Sequence, residues 1–257
     1  MQMIHLFQAN FRKQLIEMKR YAPNTVALVL TVYIIFIGMF FGIQLIGNPD
    51  TQSTTIQYTI ASYIFWYLSM MIVNGMGYEI AGETMRGTFE QLGMSPSGIW
   101  QILTTRLLAD SLLHSVMVIV LLYLSMFTSG EWLNIDLLSI IPIFILTCAS
   151  MFGLAFIIAG LTIILKQIQA FLQIFQFVLA ALTMIRLSSP IVQILLPFTK
   201  GIDMIRLIMV DNFFITDFTS LDFTILLVNA ILYLTVGLSC YLMCERYART
   251  KGLLGQY

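Results

Sequence analysis

The chain of 257 residues has little charge and few of the side chains that enzymes use for covalent or metal chemistry. Charged residues make up 10% of it, and the two histidines are His5 and His114. It contains no G-x-x-x-x-G-K-[ST] or G-x-G-x-x-G phosphate loop, no H-E-x-x-H zinc motif and no G-x-S-x-G nucleophile motif. We therefore expect no catalytic, cofactor-binding or metal-binding residue in this chain, and no enzymatic activity of its own.

Cysteine is scarce, and the net charge at pH 7 is zero. Cys148, Cys240 and Cys244 all fall within apolar stretches. Because disulfides belong to oxidising aqueous compartments, we interpret these residues as small packing side chains. A neutral chain lacks the basic surface that nucleic acids require, so we expect no nucleic acid partner.

What the chain has in abundance is apolar sequence, since hydrophobic residues make up 59% of it. About 20 apolar helical residues match a hydrocarbon core of about 30 Å, and a segment in lipid must satisfy its own backbone groups. Six stretches without a charged residue are long enough to cross a bilayer: 21–49, 51–78, 111–130, 137–165, 167–185 and 223–244. We predict an all-α polytopic membrane protein with six transmembrane helices in a single domain.

The predicted domain has short elements at its surface besides the spans. An uncharged run over residues 187–199 is too short to cross and contains Pro190 and Pro197, which is typical of a re-entrant helical hairpin. The predicted order is an interfacial helix over 1–20, spans over 21–48, 56–80, 101–129, 137–165, 167–187 and 221–245, a cytoplasmic loop over 81–100, an outer re-entrant segment over 188–218 and a cytoplasmic tail over 246–257.

The first twenty residues have the pattern of an amphipathic surface helix. Four basic residues fall on the side opposite to an apolar stripe, which favours a position in the headgroup plane. A helix packed on a partner protein would share this pattern. The stripe consists of Ile4, Phe7, Phe11, Leu15 and Met18.

Basic residues predict the orientation of the spans. Six spans place both termini on one side, and the side richer in lysine and arginine is cytoplasmic. Three basic residues fall on the other side, namely Arg186, Lys200 and Arg206. Ten fall on the side of the termini: Arg12, Lys13, Lys19, Arg20, Arg86, Arg106, Lys166, Arg246, Arg249 and Lys251. We predict a multi-pass protein of the cell membrane with both termini in the cytoplasm.

The loop between the second and third predicted spans begins with charged residues. Glu79 and Glu83 lie one helical turn apart, and Arg86 follows Glu83 at a spacing that allows an ion pair. Gly87 allows a bend after them. The alternative to a functional loop is a polar hairpin that only connects two spans.

After Gly87, Thr88 is expected to cap a short helix over residues 89–94, which ends before Pro96. Such a helix would stand on the cytoplasmic surface. Its apolar contacts would be Phe89, Leu92 and Met94.

Two segments resemble a known family of membrane proteins. Residues 83–96 read E-T-M-R-G-T-F-E-Q-L-G-M-S-P and resemble the cytoplasmic loop of type-2 ABC exporter permeases. Residues 195–202 read L-L-P-F-T-K-G-I, and with Arg206 they resemble the Leu-Pro-x-Thr segment before the last span of those permeases. The predicted order of spans and loops is similar over the whole chain. Gly93 and Met94 depart from the family, which more often has two apolar residues there.

The resemblance implies the transmembrane subunit of an ATP-driven ABC exporter, with substrate moving outward. Its partners would be an ATP-binding ABC subunit, which holds ATP and Mg, a second permease copy or sister permease, and the lipid bilayer. The short loop helix would be the coupling helix that docks in the ATPase. The coupling residues implied are Glu83, Arg86, Gly87, Thr88, Phe89, Glu90 and Leu92.

Polar residues within the predicted spans are candidates for a substrate path. Tyr67 and Asn74 share a face of the second span, and Gln173 and Gln176 lie on the fifth. Such side chains can line a path or bond helices to one another. The family resemblance favours a path, because its first, second and fifth spans tend to border one.

Arg106, Asp110 and His114 follow one another at intervals of four along the third predicted span. They could form a proton relay or contact substrate. Because the triplet begins at the membrane interface, we favour an intrahelical Arg106–Asp110 pair and a hydrogen-bonded histidine.

Two other classes of function stay open at this point. A membrane-embedded enzyme or scaffold without a transport role would draw its support from the Arg106–Asp110–His114 line. A self-sufficient secondary transporter would need midplane carboxylates, which the middles of the predicted spans lack. The substrate, and the choice between two like and two unlike permease subunits, stay open as well.

Overall fold

The structure is a computed structural model that describes residues 2–185 and 189–251, and helices dominate these residues, with no strand among them. This confirms the all-α class. The α-helices of the described residues are α1 (Gln2–Arg20), α2 (Ala22–Ile46), α3 (Gln52–Ser69), α4 (Gly75–Met85), α5 (Phe89–Gly93), α6 (Ile99–Ser129), α7 (Leu137–Leu165), α8 (Gln169–Met184), α9 (Pro190–Leu195), α10 (Thr199–Asp211) and α11 (Ser220–Thr250). A π-helical segment, Met70–Asn74, joins α3 to α4.

Five helices of the described residues are long and apolar enough to cross a membrane, judged by length and composition. They are α2, α6, α7, α11 and the continuous stretch Gln52–Met85, which combines α3, the π segment and α4. Their number and apolar character are those of a multi-pass helical membrane protein. The second and last of them extend beyond the predicted spans 56–80 and 221–245, since helical geometry continues past the apolar core into charged sequence.

The predicted fifth span is shorter in the structure than in the sequence pattern. Helix α8 has 16 residues, which at about 1.5 Å per residue gives about 24 Å, less than the roughly 30 Å of a hydrocarbon core. It ends because Ile185 has extended backbone, with φ −70° and ψ 135°. The predicted residues 186 and 187 lie outside the described part. Six crossings therefore stay a prediction.

Helix α1 is separate from the first span and lies against α6. The Asn10 side-chain amide donates to the Thr105 hydroxyl at 2.8 Å. Ile4, Arg12 and Ile16 are exposed on its outer side. The outer side thus mixes a basic residue with apolar ones, Ile4 of the predicted stripe among them, and the place of α1 in the headgroup plane stays a prediction.

Helices α7 and α11 form the most extensive helix pair. Two glycines make this approach possible, because a Cβ atom on Gly237 would overlap the Gly153 carbonyl and one on Gly153 would overlap the Tyr233 carbonyl. Small residues at such crossings allow helix backbones to touch in membranes. Helices α4 and α10 also pack against α7 of this pair.

Two short helices, α9 and α10, lie between α8 and α11, where the sequence predicts a hairpin over 188–218. Residue 188 lies outside the described part. Helix α10 buries Ile202, Ile205 and Ile208 almost completely, and it packs against α3 and α7. Helix α10 is thus part of the core, and re-entry of the segment from the outer leaflet stays a prediction.

Candidate functional site

The loop between α4 and α6 turns at two glycines. Gly87 has φ +71° and Gly98 has φ +60°, values that favour glycine because a Cβ atom is strained there. Between them, α5 ends at Gly93, one residue earlier than the predicted range 89–94. Gly87 makes the bend that its position in the sequence predicts.

The predicted side-chain cap by Thr88 is wrong. Thr88 has nearly helical backbone, φ −89° and ψ −14°, and its side chain does not cap α5. A capping hydroxyl needs extended backbone to reach the amides ahead of it. The hydroxyl points back to Glu83, where it bonds to the backbone carbonyl at 3.2 Å and to the carboxylate. Thr88 therefore ties the loop to the end of α4.

The residues of α5 divide into anchors and exposed positions. Phe89 is buried in the core, and Leu92 is half-buried against it. Glu90 is exposed, and 74% of Met94 just after the helix is exposed. Of the three expected apolar contacts for a partner, Phe89 and Leu92 instead hold α5 on the bundle. The exposed surface includes Glu90, Gln91 and Met94.

A charged cluster joins α1, α4 and α6 at the root of this loop. The Arg106 guanidinium lies 2.9 Å from a Glu79 carboxylate oxygen and 3.3 Å from one of Glu83. Lys13 on α1 lies 3.6 Å from Glu79 and 3.9 Å from Glu17. Only 8% of the Arg106 side chain is exposed, so its charge depends on these partners. We call Lys13, Glu79, Glu83 and Arg106 the inner charge cluster.

Two predicted ion pairs do not occur among the described residues. Arg106 pairs with Glu79 and Glu83 and not with Asp110, and Arg86 is exposed without an ion pair to Glu83. Glu79 and Glu83, one turn apart on α4, both contact the buried guanidinium of Arg106 on α6. This guanidinium takes the place of Arg86, which lies beyond the end of α4 and is exposed. Local spacing cannot reveal this partner, because Glu79 and Arg106 are 27 residues apart. Lys13 and Glu17, which belong to the same site, were also missed as functional candidates.

A cavity of about 530 Å³ lies beside the inner charge cluster, between α1, α4 and α6. Its wall combines charged side chains with aromatic and apolar ones. Asp110 and His114 line it from α6, and Tyr21 and Tyr78 line it from the ends of α1 and α4. The Tyr67 hydroxyl lies 3.0 Å from His114 Nδ1 just behind this wall. Arg106 and His114 thus have separate partners, and no direct hydrogen bond joins one member of the triplet to the next in the described part of the chain.

The four predicted path residues differ in burial. Tyr67 and Asn74 are buried, Gln173 is exposed, and Gln176 is half-buried. The Asn74 amide donates to the Leu172 carbonyl at 3.1 Å, so it bonds the π segment to α8. Among the described residues, the cavity wall includes none of the four, although Tyr67 reaches it through His114. A path along α8 would run over its exposed face.

The second segment that resembles the family forms the junction of α9 and α10. Phe198 has left-handed backbone there, with φ +49°, and Ser150 and Asn229 hold its amide. The amide of Asn229 bonds to three carbonyls at the end of α9, those of Gln193 at 3.2 Å, Ile194 at 2.8 Å and Leu196 at 2.8 Å. Asn229 was missed at the level of sequence, although a buried asparagine in a span is a signal for such a role.

Comparison with known proteins finds no matching protein family, no matching curated protein and no matching solved structure. The resemblance to type-2 ABC exporter permeases therefore rests on the two segments and the predicted order of spans. Within residues 2–185 and 189–251, no group of three or more histidine, cysteine, aspartate or glutamate side chains could hold a metal ion.

Proposed function

We propose that this chain is the permease subunit of an ATP-driven exporter and that a separate ATPase subunit drives it. The observation that carries the proposal is the construction of the loop at α5. One side of this short helix is buried through Phe89, and the other exposes Glu90 and Met94. A helix anchored on one side and exposed on the other would transmit a displacement by a partner into the bundle.

The transmission route runs through the inner charge cluster. Phe89 fixes α5 to the core, and the Thr88 hydroxyl binds Glu83 at the end of α4. Glu83 and Glu79 in turn bind Arg106 on α6. Displacement of α5 would therefore move α4 and α6 together, and the spans would shift between two packings. ATP and Mg belong to the partner in this proposal.

The exposed charges have a different role from the buried ones. Arg86 and Glu90 are exposed, so we assign them to contacts with the ATPase, while Glu83 acts inside the permease. Gly87 gives the bend, and Leu92 supports α5 from its half-buried position.

The rest of the proposal concerns topology and assembly. Both termini lie in the cytoplasm, α8 is the sixth crossing of the cell membrane, and two permease subunits form one transporter. A 16-residue helix can cross where the bilayer thins around the protein. Transport is outward, along a path that includes the exposed face of α8 with Gln173.

Co-purification from the native host tests the proposal. We expect the tagged chain to carry a protein with a G-x-x-x-x-G-K-[ST] motif, and the Glu90→Lys/Met94→Asp variant to lose most of it, because both substitutions alter the exposed side of α5. Glu131→Lys, beyond the opposite end of α6, is the control and should retain the partner. Equal recovery of the ATPase with the wild type and the loop variant would contradict the proposed docking site.

A further inference from the structure

The cavity between α1, α4 and α6 has the size and walls of a ligand site. Its volume of about 530 Å³ lies within the range of about 300–1,000 Å³ typical of small-molecule pockets. The proposed coupling needs only the ion pairs at the edge of the cavity, and it gives the cavity itself no role. The π segment contributes Met71 to its wall, and π turns within helices occur often at functional sites.

The charge of the wall favours a cation over an anion. Four carboxylates line the cavity against two cations, Lys13 and Arg86. Lys13 lies 3.6 Å from Glu79 and 3.9 Å from Glu17, and Arg86 is exposed on the loop. Glu79 and Glu83 are paired with Arg106. Asp110 makes no ion pair among the described residues, although the Gln14 side chain bonds to it.

The uncharged part of the wall favours an organic cation over a metal ion. Tyr21 and Tyr78 contribute aromatic rings to the wall, and aromatic rings attract cations within about 6 Å of the ring centre. The Arg20 guanidinium already lies 5.8 Å from the centre of the Tyr21 ring, so Tyr78 is the aromatic side chain left for a ligand cation. Met18, Met71 and Leu113 add an apolar surface on the same cavity. No cluster of three or more metal-binding side chains exists in the described residues. The wall therefore suits a charged group attached to an apolar body.

We propose that this cavity binds a cationic amphiphile, with its positive group beside Asp110 and Glu17 and its apolar part against Met71 and Leu113. Its source is either a membrane lipid with an amine headgroup or a soluble cation that the transporter moves. The second source rests on the proposed function. Binding itself is measured on the purified full chain without a partner, so its failure is distinct from a failure to recruit an ATPase.

The test compares two probes of the same shape and opposite charge, tetraphenylphosphonium and tetraphenylborate, with the full chain in phosphatidylglycerol nanodiscs, because this lipid has no amine headgroup. We expect saturable binding of the phosphonium and no competition by the borate. Asp110→Asn should weaken phosphonium binding by about tenfold or more, because it removes the carboxylate that makes no ion pair, with little change in size. Asp203→Asn, whose carboxylate does not line the cavity, should bind like the wild type.

A second variant keeps the test independent of charge. Gly75 lines the cavity, and a Cβ atom there meets nothing within 4 Å. Gly75→Leu should therefore fill the space without a clash and abolish phosphonium binding. Gly38→Leu on α2, which is equally open, should have no effect on it.

The source of the ligand follows from the lipid. If phosphatidylethanolamine added to the phosphatidylglycerol nanodiscs lowers phosphonium binding, a lipid amine occupies the cavity; if binding is unchanged, this lipid amine is excluded and a soluble cation is left as the source. The proposal is overturned if Asp110→Asn and Gly75→Leu bind the phosphonium as the wild type does, or if the borate binds equally well.

Discussion

The polar centre around Asn229 and the one around Arg106 hold their helices in different ways. Asn229 joins α11 to α7, α9 and the start of α10 through neutral hydrogen bonds to Ser150 and to backbone groups. Arg106 joins α6 to α4 through ion pairs, beside a cavity. Asn229 is buried, with 1% of it exposed, whereas a cavity of about 530 Å³ lies beside the partners of Arg106.

This difference indicates which part of the molecule is static. Neutral hydrogen bonds to backbone are directional and costly to leave unmade in a buried place, so they specify one arrangement. Ion pairs depend less on direction and can exchange partners next to an accessible cavity. We therefore expect α7, α9, α10 and α11 to move as one body, and α4, α5 and α6 to shift against it.

The largest expected effect is on stability, at the static centre. Asn229→Leu keeps the size of the side chain but removes its bonds to Ser150 and to the end of α9. We expect the free energy of unfolding to fall by about 3 kcal/mol, the sum of several unmade buried bonds. Denaturant unfolding in detergent measures it, with Asn24→Leu at an exposed position of α2 as the control. Equal stability of the two variants would show that Asn229 does not hold this centre.

The next effect concerns the inner charge cluster. Arg106→Gln leaves Glu79 and Glu83 without their buried cation, and we expect a loss of about 2 kcal/mol in unfolding free energy. The triple variant Arg106→Gln/Glu79→Gln/Glu83→Gln should recover most of it, because the unpaired charges are gone. If the triple variant is no more stable than Arg106→Gln, the carboxylates do not depend on this arginine.

A smaller effect is expected where α10 meets α11. Lys200 lies 2.6 Å from Asp222, and Asp222 also accepts a bond from the Thr219 amide at 2.9 Å at the start of α11. We expect Lys200→Met to cost about 1 kcal/mol and Asp222→Ala to cost more, since only the latter also removes a helix cap. Thermal unfolding of both variants decides the order. A larger cost for Lys200→Met would mean that the cap contributes nothing.

The smallest effect is expected for Lys13, whose side chain is 41% exposed. Its contact with Glu79 at 3.6 Å is near the surface. Lys13→Gln should change the free energy of unfolding by less than about 0.5 kcal/mol, and the change should disappear at about 1 M salt. A larger or salt-independent change would place Lys13 with Arg106 as a buried member of the cluster.

Sequence was sufficient where an element is determined by its own residues. Helix α7 begins and ends at the predicted positions 137 and 165, because the apolar run ends where charged residues begin. The Asp136 side chain caps its start at the Leu138 amide, and Lys166 leaves helical geometry with φ +58° at its end. Gly87 was predictable for the same reason, since a bend there needs only a residue that tolerates a positive φ.

Sequence was insufficient where a partner lies far along the chain. The local rule of three or four residues predicts Glu83–Arg86 and Arg106–Asp110, whereas the structure pairs Arg106 with Glu79 and Glu83. The π segment Met70–Asn74 has no compositional signature, so its position at the cavity wall could not be predicted from the sequence. The end of α8 at Met184 could not be predicted either, because the apolar sequence continues to Ile185.

ATP hydrolysis by the purified chain, alone and together with a co-purified ATPase, tests the central claim most directly. The chain lacks a phosphate loop, so we assign the nucleotide to a separate ATPase subunit that acts on α5. We predict no hydrolysis above background by the chain alone, and hydrolysis in the complex that moves substrate across liposome membranes. Hydrolysis or ATP-independent substrate movement by the chain alone would contradict the account.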